Sequence, residues 1–131
     1  MNADARKLLC AGTVLMALST VFGAFGVHSL KSVLSADHFE TFRTGVYYQF
    51  FHSLGVLAVG LIADHRPGKL IRLSGWLLCT GIVLFSGSLY ILVAGAPTWV
   101  GFITPLGGMC LIVGWIMAAT SLVRDRADTT H

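Results

Sequence analysis

LSGWLLCTGIVLFSGSLYILVAGA, residues 73–96, runs for 24 positions without one charged side chain. An α-helix rises 1.5 Å per residue, so this stretch reaches about 36 Å, more than the ~30 Å hydrocarbon core of a bilayer. Three further runs share its character. Residues 8–27 and 102–122 carry no charge, and residues 46–63 are interrupted only by Gln49, His52 and Ser53. Backbone N–H and C=O groups in hydrocarbon must be paired within their own segment, which makes these runs helices. The predicted fold is all-α: a bundle of four transmembrane helices forming one membrane domain over residues 1–131.

Composition points the same way. Of the 131 residues, 55% are hydrophobic and 11% charged, against about 25% charged in soluble domains. So few charges cannot cover a water-facing surface. The formal net charge is +3, yet the basic residues stand in short connections beside apolar runs, so nucleic acid is not the expected partner. Arg6 and Lys7, the 64–72 connection with Arg66, Lys69 and Arg72, and the tail with Arg124 and Arg126 share one side of a four-span chain. The other side holds Lys31 and Arg43. The positive-inside rule then places both termini inside. Arg6-Lys7 before an apolar run also fits a signal peptide. The length of the run and its spaced small residues favour an uncleaved helix; cleavage near Gly26 would leave three spans.

The connections carry their own signals. Ser35 is a candidate N-cap with Asp37 in the first turn, and Leu34, Phe39 and Phe42 oppose His38, Glu40 and Arg43. This pattern predicts a short interfacial helix running into the second span. Pro67-Gly68 breaks the chain between spans two and three. Thr104-Pro105 resembles an N-cap followed by a first-turn proline, so span four is expected to begin at Pro105, with residues 98–103 dipping into the interface.

Small residues recur every seven positions: Gly12, Ser19, Gly26; Ser53, Gly60; Ser74, Gly81, Ser88; Gly107, Gly114, Ser121. That period keeps one stripe of each helix against a neighbour, where small side chains allow close approach. Residues 9–15 (LCAGTVL) and 78–84 (LCTGIVL) agree at five of seven positions, and Val59-Gly60 corresponds to Val113-Gly114. Two repeated hairpins related by an axis along the membrane normal would give this.

Polar residues gather at the side opposite the termini: His28, Lys31 and Arg43, then Gln49 and His52, then Ser86, Ser88 and Tyr90, then Thr104, Gly107 and Gly108. Gln49 and His52 fall on the small-residue face of their span and are expected to look inward. Polar groups at that depth are costly unless partnered, which makes them candidates for a ligand site opening outwards. The plainer alternative is that they hydrogen-bond between helices and fix the packing. The N–H groups of residues 106–108, with Lys31 and Arg43, form a candidate anion site at a helix start. His28 and His52 would be the only pair to consider for haem, and no cofactor is expected. Cys10, Cys79 and Cys110 all lie in apolar runs and read as packing residues, so no metal site is expected. No carboxylate lies in any span, no nucleophile–base spacing appears, and no catalytic residue is assigned.

Taken together, residues 23–31 (GAFGVHSLK), 42–54 (FRTGVYYQFFHSL), 85–90 (FSGSLY) and 103–108 (ITPLGG) resemble the signature stretches of the domain-of-unknown-function 423 family. The resemblance runs in order from about residue 8 to residue 122. It implies a small multi-span protein of the bacterial inner membrane with an uncleaved first helix, in a family whose biochemical role is not established, and it brings no catalytic residues; no enzymatic activity is expected. Two function classes follow. One is a structural or accessory protein packed against membrane lipid or a larger membrane complex. The other is a small transporter or channel, a homo-oligomer, whose outward pocket takes a small solute, proton or lipid headgroup.

Overall fold

The structure, a computed structural model, describes residues 1–128, with side chains through Arg124. Among them are four long helices and no strand: α1 (Ala3–Phe25), α2 (Ala36–His65), α3 (Lys69–Val93) and α4 (Ile103–Asp128). Each helix is long and apolar enough to cross a membrane. Arg126 of the basic tail lies outside the residues whose side chains are described.

Local chemistry sets the boundaries. The Asn2 side chain caps α1 by accepting from the Ala5 N–H at 2.8 Å. A π turn, Gly26–Leu30, follows α1, with the Lys31 N–H bonded to the Gly26 carbonyl at 2.9 Å. Ser35 caps α2 through the His38 N–H at 3.3 Å. The helix that starts there does not stop short of the second span. It runs unbroken for 30 residues, about 45 Å, so the expected interfacial helix and the span are one rod.

The third span ends earlier than its apolar run, at Val93 rather than Ala96. Gly95 adopts φ 102°, a region that favours glycine. The Ala96 N–H reaches back to the Ile91 carbonyl and the Gly95 N–H to that of Leu92, which together close a Schellman motif.

The start of span four corrects the sequence reading. A 3-10 turn, Thr98–Phe102, leads directly into α4 at Ile103. Thr104 is therefore inside the helix and is not its cap, and Pro105 occupies a first-turn position where no N–H is required. The N–H of Gly107 belongs to the helical ladder, pairing with the fourth residue before it, rather than being free.

Helices pack chiefly against their sequence neighbours: α1 on α2, α2 on α3, α3 on α4. Around α2, Gly45 meets Tyr90 of α3. Gly60 meets Leu9 of α1 on one flank, and Gly55 meets Trp115 of α4 on the other. The pair α2–α3 is thus central, with α1 and α4 on opposite sides. Leu8, Val56, Val59, Ile71, Leu78, Ile82, Leu111 and Ala118 form the shared core. Long side chains such as Val21, Phe51, Val83, Met109 and Ile116 are exposed and form the lipid-facing belt.

The small-residue series mark the contacts. All but Ser121 are buried. A Cβ at Gly12 would meet Leu57 and one at Gly60 would meet Leu9, while one at Gly81 would meet Leu111 and one at Gly114 would meet Leu78. Each helix therefore carries Leu-x-x-Gly, and each hairpin is locked by the same reciprocal exchange of a leucine into a glycine notch. The partial sequence repeat is matched by a repeated contact.

Candidate functional site

The predicted polar cluster divides into separate groups. At its centre Gln49 is 3% exposed, with both amide atoms hydrogen-bonded. Its Nε2 donates to the Leu15 carbonyl of α1 at 2.9 Å, and its Oε1 accepts from the Tyr90 hydroxyl of α3 at 2.7 Å. One amide thus ties three helices. The Tyr90 ring lies against Gly45 and meets Phe22 edge-on at 5.0 Å and Phe42 at 5.4 Å. Ser86 donates to the Gly45 carbonyl at 2.6 Å, and the Ser53 hydroxyl to the Gln49 carbonyl.

A second group joins α3 to α4, where Ser88 and Thr104 share a hydrogen bond at 2.6 Å. Beside it a Cβ on Gly107 would meet the backbone of Phe85, whereas Gly108 is in ordinary contact with the Phe85 ring. The two glycines serve helix packing here, and the ladder engages the Gly107 N–H that the anion reading left free.

His52 belongs to neither group. Three residues beyond Gln49 it falls about 60° short of a full turn, which aims it toward α4, and it is partly exposed. Its Nδ1 accepts from the Trp115 indole N–H at 3.1 Å. The indole can lie so close only because residue 55 is glycine; a Cβ there would meet the ring at 2.4 Å. Tyr48 completes this edge, stacked on Phe85 at 4.2 Å and 5.6 Å from the His52 ring.

The remaining predicted residues lie apart. Arg43 pairs with Glu40 at 3.0 Å and donates to the Tyr47 hydroxyl at 2.7 Å, beside a shallow cavity of about 100 Å³ between α1 and α2 lined by Gly23, Phe42 and Val46. His28 and Lys31 are exposed, His28 on the π turn and Lys31 just after it. The residues expected to share one outward pocket are thus divided: an interhelical hydrogen-bonded set, three side chains apart from it (Arg43, His28 and Lys31), and a partly exposed His52 at the edge facing Trp115.

Several residues were not singled out by sequence. Trp115 and Gly55 gave one usable signal: Gly55 lies outside the seven-residue series and so needs a reason of its own. At the end holding the termini, Asn2 bonds Asp64 and the Ala63 carbonyl, and Arg72 pairs with Asp4 at 2.9 Å. Asn2, Asp4, Ala63 and Arg72 border an open cavity of about 200 Å³ that also includes Lys69 and Gly68.

Comparison with known proteins places this architecture. The family model described as Protein of unknown function (DUF423) matches residues 22–108. A UPF0382 membrane protein of Haemophilus influenzae is 46% identical over 119 residues, covering 86% of this chain and 94% of its own. The UPF0382 membrane protein YwdK of Bacillus subtilis is 40% identical over 120 residues, covering 91% and 98%. The UPF0382 inner membrane protein YgdD of Escherichia coli is 34% identical over 122 residues, covering 92% and 90%. No solved structure matches. Four apolar helices fit a bacterial inner membrane, and this chain is an integral membrane protein belonging to the DUF423 family.

Proposed function

We propose that this protein is a packing subunit of the bacterial inner membrane, holding lipid or a larger membrane complex on its outer faces, with no solute route through its interior and no turnover of its own. The observation that carries this is the closure of the Gln49–Tyr90 network. Among the described residues, no buried side-chain nitrogen or oxygen lacks a hydrogen-bond partner. A solute site must offer polar groups to its cargo, and here Leu15, Gln49, Tyr90, Ser86 and Gly45 spend theirs on one another. Both termini face the cytoplasm in this reading, because Arg6, Lys7, Arg66, Lys69 and Arg72 stand at one end and Lys31 and Arg43 at the other.

Copurification in mild detergent, followed by identification of bound proteins and lipids, tests the role. A retained lipid or protein partner is expected, along with no flux of protons or small solutes in proteoliposomes. Flux abolished by Gln49→Leu in a variant that still folds would replace this reading with transport. A cysteine introduced in the 64–72 connection should be labelled only from the cytoplasmic side.

A further inference from the structure

The His52 edge carries an inference beyond packing and independent of it. An indole nitrogen can only donate. The ring nitrogen it touches, Nδ1, must therefore be unprotonated, which puts the proton of the neutral imidazole on Nε2. No acceptor among the described residues takes that proton. His52 lies six residues, about 9 Å, inside the start of the second apolar run. An unmatched N–H at that depth is costly, and the ester carbonyls of phospholipids belong to the interface above it. A molecule that carries a polar group into hydrocarbon would supply the acceptor.

The surroundings specify its shape. Tyr48 stacks on Phe85, and the His52 ring lies between Tyr48 and Trp115, at 5.6 Å and 6.2 Å. Tyr48 is 42% and Trp115 40% exposed, so ring surface remains open to lipid. Gly55 fixes the indole in place, and the indole fixes the tautomer of His52. The Tyr48 hydroxyl also lacks a partner among the described residues. Aromatic walls favour a flat ring, the histidine donor favours a carbonyl oxygen, and access through lipid favours an apolar tail.

We propose that this exposed aromatic edge, where α2 meets Trp115 of α4, binds a quinone-class lipophile, its ring held against Tyr48 and Trp115 and one carbonyl accepting from His52 Nε2. The test uses the full chain in phosphatidylcholine nanodiscs with Trp76→Phe and Trp99→Phe, leaving Trp115 as the only indole. Decyl-benzoquinone should quench Trp115 saturably. His52→Phe keeps a ring but removes the donor, and should weaken apparent affinity about tenfold. Tyr48→Ala, which removes a wall and leaves the His52–Trp115 bond, should also weaken it and serves if His52→Phe does not fold. Quenching that rises linearly, like that of a free indole dissolved in the same discs, would overturn the proposal. So would equal affinity in both variants. Retention of a phospholipid that His52→Phe loses, without saturable quenching, would assign the donor to lipid and end the quinone reading.

Discussion

Gly107→Ala is the sharpest probe of how this bundle is held together. A Cβ at residue 107 would stand 2.3 Å from the Phe85 backbone nitrogen and 2.7 Å from its Cα, whereas ordinary contact begins near 3.4 Å. The obstacle is main chain, so no rotamer change relieves it, and α3 and α4 must part by about 1 Å. Thr104, one turn earlier on the same helix, holds Ser88 at 2.6 Å. Parting the helices by that amount takes this bond past hydrogen-bonding range. Overpacking costs about 1–3 kcal/mol, and an interhelical hydrogen bond in a membrane protein is worth about 0.6–1.7 kcal/mol. The expected loss is about 2–5 kcal/mol, read by reversible unfolding in mixed micelles with circular dichroism. Gly87→Ala, on the facing helix α3 with nothing within 4 Å, is the control and should be neutral or mildly stabilising through helix propensity. If Gly107→Ala unfolds with the wild type, or Gly87→Ala is as damaging, close backbone approach is not what binds α3 to α4.

Other expectations follow from single contacts. Gln49→Leu strands the Tyr90 hydroxyl and should destabilise by about 1–3 kcal/mol; Tyr90→Phe should cost less, and the double variant should cost less than the two combined, as a double-mutant cycle would register. Breaking the Asp4–Arg72 pair with Asp4→Asn should cost no more than about 1 kcal/mol, and less at high salt, because both side chains are about two-fifths exposed. Gly55→Ala should expel the indole of Trp115 from its seat and break its bond to His52, which intrinsic fluorescence would report as a shift in emission; an unchanged spectrum would count against the seating.

The architecture was legible because its cause is chemical and local. Residues 73–96 had no other stable environment, and Pro67-Gly68 could only be a break. The seven-residue series worked for the same reason: a glycine such as Gly81 or Gly114 in a long apolar helix marks where a neighbour comes close. Exact ends were less legible. Ala94 and Ala96 are as apolar as the residues before them, and only the left-handed turn at Gly95 stops the helix. Thr104-Pro105 had the letters of a cap, but the preceding 3-10 turn supplied the helix start, which freed the Thr104 hydroxyl for Ser88.

The structure divides the polar residues that the sequence grouped as one cluster. Gln49 and His52, three apart, sit on either side of the line facing α3, so one turns to α1 and α3 and the other to α4. Periodicity assigns a face but not which neighbour lies across it. For the same reason Trp115 gave no sign of its partnership with His52, since that contact spans 63 positions of chain.

The twin leucine–glycine locks bear on how such a protein is made. Every lock lies inside one hairpin, so α1 and α2 can close theirs while the rest of the chain is still on the ribosome. The second hairpin then repeats the act with the same moves. The contacts that join the halves, among them the Tyr90–Gln49 and Ser86–Gly45 bonds, the Arg72–Asp4 pair and the seating of Trp115 on Gly55 beside His52, must wait until both are present. Biogenesis in this chain is thus two rehearsals of one short step and a single late docking, and separately expressed halves divided at Pro67 should find each other in the membrane.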